Sequence, residues 1–244
     1  VRKENLSQKT ARAAMERIMQ GEATAAQIGG FLVALRMKGE APSEIAGFAQ
    51  AMRQHALPLM CKGELLDTCG TGGDGTGTFN ISTTVAFVVA ACGLPVAKHG
   101  NRAISSKSGS ADLLSALGIR IDLEPDQVAF CIEKAGIGFL YAPTFHRAMR
   151  HAAGPRLELG MRTVFNLLGP LTNPAEPAYQ AVGVWDRDLV SVIAQVLRDL
   201  GAKGAMVFHG EGGLDELSLA GGNLVAELVK GQIKTYTLFP QDAG

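Results

Sequence analysis

Apolar residues recur at helical spacing through the first sixty positions. In TAAQIGGFLVALRMKG, Ile28, Phe31, Leu32 and Leu35 fall at i, i+3, i+4 and i+7, one face of a helix. Thr24 with Gln27 makes a capping-box start, and Gly39 a stop. PSEIAGFAQAMRQH repeats the pattern with Ile45, Phe48, Ala49 and Met52, and SQKTARAAMERIMQG predicts a further helix ended by Gly21. No strand pattern interrupts them. The periodicity changes near Gly63. ELLDTC leads into a glycine-rich loop, STTVAFVVAAC reads as a buried helix closed by Gly93, and LPVAKHG as a short strand. GSADLLSALG predicts a helix with Gly118 past its end, IRIDL alternates like a strand, EPDQVAFCIEKAG is a helix and IGFLYAP a strand. Beyond the proline- and glycine-broken stretch 154–177 come QAVGVW (strand), RDLVSVIAQVLRDLG (helix) and GAMVFHG (strand).

Runs of helices followed by alternating strands and helices predict α/β plus all-α: a small helical domain over residues 1–62 and a larger α/β domain with a mostly parallel central sheet over 63–153 and 178–244. Residues 154–177, containing NLLGPLTNP, read as a crossing or hinge segment packing on the helices. At 244 residues and 47% hydrophobic content the chain can bury a substantial core. Twenty-three basic residues balance twenty-three acidic ones, so there is no general excess for nucleic acid or a membrane surface. The four cysteines lack metal-site spacing and read as free thiols of a reducing compartment, and VRKENLSQ has no apolar signal core. The apolar run Val85–Ala97 is too short to span a bilayer. These features predict a cytoplasmic protein.

Chemistry concentrates in two loops, each between a strand and a helix. GTGGDGTGTFNIST, from Gly70 to Thr83, has five glycines in its first eight residues. Without Cβ atoms the backbone can approach an anion closely, and the following helix points its positive end at the loop. Gly70, Gly72 and Gly75 fit a dinucleotide fingerprint, but the acid required about 20 residues on is replaced by Lys98 and His99. No lysine follows the glycines as in a nucleotide P-loop. The second loop, AKHGNRAISSKSGSADLL, carries Lys98, Arg102 and Lys107 with Asn101 and four serines. A tight turn and a solvated basic loop are the plain alternatives; two such loops in succession favour a ligand with phosphates at both ends.

These two blocks, with RLELGMRTVFNLLGPLTNP and HGEGGLDELS in order, resemble the anthranilate phosphoribosyltransferases of tryptophan biosynthesis. The likeness implies transfer of phosphoribosyl from 5-phosphoribosyl 1-diphosphate (the donor) to the amine of anthranilate, assisted by Mg2+, in a homodimer formed through the helical domain. It implies donor contacts from Gly70, Gly73, Asp74, Thr78, Asn80, Ile81, Ser82 and Thr83. The second loop would add Lys98, His99, Gly100, Asn101, Arg102, Ala103, Ile104, Ser105, Ser106 and Ser110. Lys98 and Asp74 take the catalytic roles, Ser82, Asp215 and Glu216 the metal, and Gly70, Asn101 and Arg156 the anthranilate. Without the likeness, Asp215–Glu216 would read as a solvated turn and Arg156 as a surface arginine. Arg147 stands after His146 where the family commonly has proline, and the family continues past YTLFPQDAG with further helices and strands. A nucleoside phosphorylase of similar architecture, or a non-enzymatic nucleic-acid-binding relative, are the competing readings.

Overall fold

The computed structural model of the chain describes residues 3–72, 75, 77–103 and 108–243. Three helices come first: α1 (Gln8–Met19), α2 (Ala25–Lys38) and α3 (Pro42–Gln54). Their starts follow local chemistry. The Ser7 hydroxyl accepts the Thr10 N–H, and Thr24 and Gln27 cap each other reciprocally at 3.3 and 2.9 Å. Pro42 opens α3, and Glu44 in its first turn is wholly buried. Its carboxylate accepts the N–H groups of Leu6 and Ala41 and pairs with the Lys38 ammonium at 2.7 Å. This satisfies a charge that would otherwise be costly to bury.

The rest alternates β1 (Leu66–Gly70), α4 (Ile81–Ala91), β2 (Val96–Gly100), α5 (Ser110–Ala116), α6 (Pro125–Ala135), β3 (Ile137–Tyr141), α7 (Ala142–Phe145), α8 (Arg150–Leu159), α9 (Phe165–Leu171), β4 (Tyr179–Gly183), α10 (Leu189–Asp199), β5 (Gly204–His209), β6 (Asn223–Val229) and β7 (Gln232–Leu238). Among the described residues seven strands form one sheet, ordered β3-β2-β1-β4-β5-β6-β7. The first five are parallel, while β6 and β7 are antiparallel. One core runs from Met15, Ile28 and Phe48 through Leu168 on α9 to Ile193 on α10 and Val207 on β5. A smaller one lies beneath α6, around Val128, Ile132 and Leu140.

Several expectations need correction. IRIDL is not a strand: Ile121 packs against α5 without a ladder partner. Its alternation records one-sided burial, which an extended connection can have without pairing. STTVAFVVAAC is helical but not buried all round. Thr83 and Ala86 face the sheet, whereas Val88 is 57% exposed and Val85 and Phe87 are also open. The stretch expected to be broken holds the second half of α8, which runs through Gly154 and Pro155, and all of α9, which includes Pro170. α8 packs on α1 and α2, and α9 on α3. The β6–β7 hairpin had no signal in the pattern. Its two-residue turn puts Lys230 and Gly231 at φ +49° and +78°, a twist-matched turn that Asn-Gly or Asp-Gly would have announced.

Candidate active site

Strand order reverses at β1. The connection from β1 through α4 leads to β2 on one side, whereas β4 lies on the other and leads on to β5. In open α/β sheets such a reversal leaves a crevice at the carboxyl ends of the strands. Both glycine-containing ends, Gly70 of β1 and Gly183 of β4, lie there, paired with each other.

The first loop leaves β1 and enters α4. Gly72, Gly75 and Gly77 all have φ between +66° and +74°, a backbone that side-chain-bearing residues rarely adopt. Thr71 ties the loop to β4, donating its N–H to Gly183 O at 2.9 Å, while its hydroxyl accepts the Trp185 N–H. Among the described residues no side chain caps α4 and no acid sits in its first turn, so the Ser82 and Thr83 N–H groups stay available to an anion, whereas the Ile81 N–H donates to Phe79 O at 2.7 Å. The buried Thr83 hydroxyl has no hydrogen-bond partner among the described residues. Thr78 and Phe79 are exposed on the loop. Gly73 and Asp74 lie outside the described residues.

Lys98 reaches the same place from β2. Its side chain is buried, and its ammonium donates to Thr68 O at 2.6 Å and to the Ser82 hydroxyl at 3.4 Å. Burial lowers its pKa, opposed by the charges of Asp67, Cys69 and Glu216. The second loop runs from Gly100 into α5. Asn80 laces the two loops together, donating to Gly109 O and the Ser108 hydroxyl at 3.2 and 3.4 Å. The Ser110 hydroxyl donates to Asn101 O, beside Gly100.

The organiser of the second loop is a residue that pattern reading missed. Asp112 accepts the N–H groups of Ala103 and Gly109, each at 2.9 Å, and pairs with Arg102 at 2.9 Å. These bonds, the Ala103 N–H foremost, hold its carboxyl below its usual pKa. Asp112 is the third residue of α5, a capping position that could have flagged it. Ile104, Ser105 and Ser106 lie outside the described residues.

The most distant contributor arrives from the loop after β5. Asp215 Oδ2 accepts the Gly72 N–H at 2.7 Å across 143 residues of sequence. A Cβ on Gly70 would stand 2.7 Å from that oxygen, and one on Gly183 would collide with the Asp215 carbonyl. The two strand ends are therefore glycine because the acid-bearing loop lies directly on them. Asp215 is buried, and Glu216 is near enough for Lys98 and Cys69 to feel its charge. Ser82, Lys98, Asp215 and Glu216 thus gather around the glycine loop. No three His, Cys, Asp or Glu side chains converge as a metal cage among the described residues. Two carboxylates and a hydroxyl suit a hard cation that keeps waters and takes substrate oxygens as its remaining ligands, which is magnesium behaviour.

His99 turns the other way from the phosphate loops. Its buried ring meets Gly169 O at 3.1 Å and packs against His146 with centroids 5.0 Å apart. Burial drives the pKa of His99 down to about 3 and that of His146 to about 4. Arg147, in the position noted above, opens a single helical turn and pairs with Glu124 at 3.5 Å. Arg156 on α8 lays its guanidinium over the Phe165 ring, 4.9 Å from the centroid, and burial lowers its pKa. No hydrogen bond or ion pair joins it to Gly70 or Asn101 among the described residues.

This arrangement recurs in known proteins. Residues 1–56 match the helical bundle domain, and residues 62–244 the a/b domain, of a glycosyl transferase family. The anthranilate phosphoribosyltransferase of Moorella thermoacetica is 57% identical over 242 residues, covering 99% of this chain and 71% of that protein. The chain belongs to the anthranilate phosphoribosyltransferase family. Its fold superposes on the Thermus thermophilus enzyme with a TM-score of 0.93 at 50% identity, over 99% of this chain and 72% of that one. The Saccharomyces cerevisiae family member, solved with 5-phosphoribosyl 1-diphosphate and Mg, gives 0.87 at 32% identity, over 97% of this chain and 69% of that one. Both family domains are thus represented here, and the crevice described above lies in the a/b part. Among the described residues no helix is long and apolar enough to cross a membrane.

Proposed function

We propose that this chain transfers the phosphoribosyl group of 5-phosphoribosyl 1-diphosphate to the amine of anthranilate. The products are N-(5-phosphoribosyl)anthranilate and diphosphate, as in the tryptophan biosynthesis of its family. The observation that carries the reading is the seating of Asp215 on Gly70, Gly72 and Gly183, with Lys98 and Ser82 beneath the same loop. Four segments far apart in sequence thereby converge on one glycine-lined phosphate cradle.

In this reading the amine nitrogen attacks the anomeric carbon, the bond to diphosphate breaks with its electron pair going to diphosphate oxygen, and the nitrogen, cationic once the new bond has formed, gives up a proton to solvent. The chief demand is to stabilise charge growing on the leaving group. Lys98 supplies a fixed positive charge; Thr68 O and Ser82 Oγ take two of its three N–H groups, leaving one for a phosphate oxygen. The Thr71, Gly72 and Ile81 N–H groups already have protein acceptors, so the donors to phosphate would be the loop backbone beyond them, Gly73, Asp74 and Thr78, and the α4 start at Ser82 and Thr83, with Gly70 and Asn80 lining the cradle. Gly100, Asn101, Arg102 and Ala103, with Ser110, close the other side. Ser82, Asp215 and Glu216 would hold magnesium, which would supply further positive charge at the diphosphate. Arg156, its plane fixed on Phe165, offers a two-pronged site for the anthranilate carboxylate, with Gly70 and Asn101 beside the ring. The anthranilate amine is neutral, so no strong general base is assigned. Gly29, Gly30, Val33 and Ala34 on α2 continue its apolar character beyond the buried stripe of Ile28, Leu32 and Leu35, which suits homodimer formation through the helices. The setting is cytoplasmic.

The test is anthranilate-dependent consumption of donor with Mg2+, followed by the loss of anthranilate fluorescence. Turnover that needs all three components supports the reading. A folded protein that consumes no donor, or that phosphorolyses pyrimidine nucleosides instead, refutes it.

A further inference from the structure

The neighbours β1 and β2 are paired unlike the other parallel strands. Their register is confined to Leu66–Val96, whereas β1 with β4, β2 with β3 and β4 with β5 each run through five pairs. Past that point side chains meet the facing main-chain groups. Asp67, wholly buried on β1, accepts the His99 N–H on Oδ1 at 3.3 Å. Its Oδ2 accepts the Asn173 amide at 2.9 Å, and the same amide group donates to Ala97 O at 2.8 Å. The Asn173 oxygen is held in turn by the Ala175 N–H at 2.9 Å. Lys98, between Ala97 and His99, reaches across to Thr68 O. Three main-chain groups at this edge, Ala97 O, His99 N and Thr68 O, are therefore answered by Asn173, Asp67 and Lys98 side chains.

Buried main-chain groups must be paired, and strand-to-strand bonds are the default solution. Replacing them with a carboxylate, an amide and a lysine keeps the two strands apart at the ends that carry the two phosphate loops. The wedge also brings a residue of the segment after α9 into the sheet, so the position of Lys98 depends on where that segment sits. We propose that Asp67 and Asn173 are positioning residues. They form a wedge that splits β1 from β2, fixes Lys98 between them, and couples the segment after α9 to the donor cradle. This rests on the reading of Lys98 as a donor-binding cation.

Two variants and their combination test it. Asp67→Asn keeps shape but sets an amide N–H against that of Asn173, or leaves the His99 N–H unanswered. Asn173→Ala removes the bridge to Ala97. Affinity for 5-phosphoribosyl 1-diphosphate with Mg2+, measured by titration calorimetry, should fall at least tenfold in each variant. Anthranilate affinity should change less than threefold. The double variant should lose less than the product of the two single losses, because the clash that Asp67→Asn creates needs Asn173. Amide hydrogen exchange at His99, read without any ligand, should quicken in Asp67→Asn. Variants that melt earlier yet keep donor affinity within twofold, or that lose both substrates equally, overturn the proposal. Unchanged exchange at His99 also overturns it, even if the unaltered chain binds no donor, the separate result that would refute the functional reading.

Discussion

Gly70→Ala adds one carbon at the point where the acidic loop touches β1. Gly70 does not occupy the left-handed region, so alanine is compatible with its backbone and the effect is steric. The new Cβ would stand 2.7 Å from Asp215 Oδ2, where ordinary contact begins at 3.4 Å. The carboxylate must retreat by about 0.7 Å, and the same oxygen holds the Gly72 N–H at 2.7 Å. A retreat of that size takes the hydrogen bond beyond its normal length or drags the loop with it. Losing one bond to a charged, buried group costs about 1.5–3 kcal/mol, or roughly 10- to 150-fold in kcat/KM if it is felt fully in the transition state. The assay is donor-saturated turnover against anthranilate, with the Mg2+ dependence measured alongside. The melting temperature controls for damage to the fold. A folded Gly70→Ala protein within threefold of the parent would refute the claim that Asp215 works from this position.

Glu44→Gln leaves the Lys38 ammonium without its countercharge, though Asn5 Oδ1 and Gly39 O still accept from it, and should destabilise by about 1.5–3 kcal/mol, read as a clear drop in melting temperature with little change in KM. The His99–His146 pair predicts acid sensitivity. Both folded pKa values, about 3 and about 4, lie below the unfolded value of roughly 6.5, so the unfolded chain takes up protons first as pH falls. Stability is then fully present above pH ~6.5 and declines by roughly 2 kcal/mol per histidine by pH 5; urea midpoints at pH 7.5 and 5 should differ accordingly, and His146→Asn should reduce the difference. Gly154→Ala should lower the melting temperature, because Gly154 lies in α8 directly before Pro155 and a Cβ on the residue before proline disfavours helical backbone; an unchanged or higher melting temperature would contradict the helix described there.

What was legible in sequence was local. The capping pair Thr24–Gln27, the apolar stripes of α2 and α3, and the strand–loop–helix setting of Gly70–Thr83 are each written within a dozen residues. What depended on distant partners was not. Asp215 has nothing around it to say that it lies on Gly70, because the information is spatial and the missing Cβ atoms belong to other strands. Asp67, in the ELLDTC run that leads into the loop, carries no local sign that its carboxylate accepts the His99 N–H and the Asn173 amide. The open side of α4 was misjudged because an apolar sequence reports a preference for burial and does not name a partner. Asp112 was within reach, since its place in the first turn of α5 is a recognised capping position.

The bond between Asp215 and Gly72 spans 143 residues, and that between Asp67 and Asn173 spans 106. Chain closure over such distances carries an entropic cost that neighbouring helices such as α1 and α3 escape. The helical part can therefore collect its contacts early, while the cradle is assembled only when nearly the whole described sheet is in register. A molecule caught short of that point would retain much of its helical signal and bind no donor. Donor-induced thermal stabilisation, which acts only on species that bind, would thus count completed molecules in a preparation, where circular dichroism would count completed and stalled ones alike.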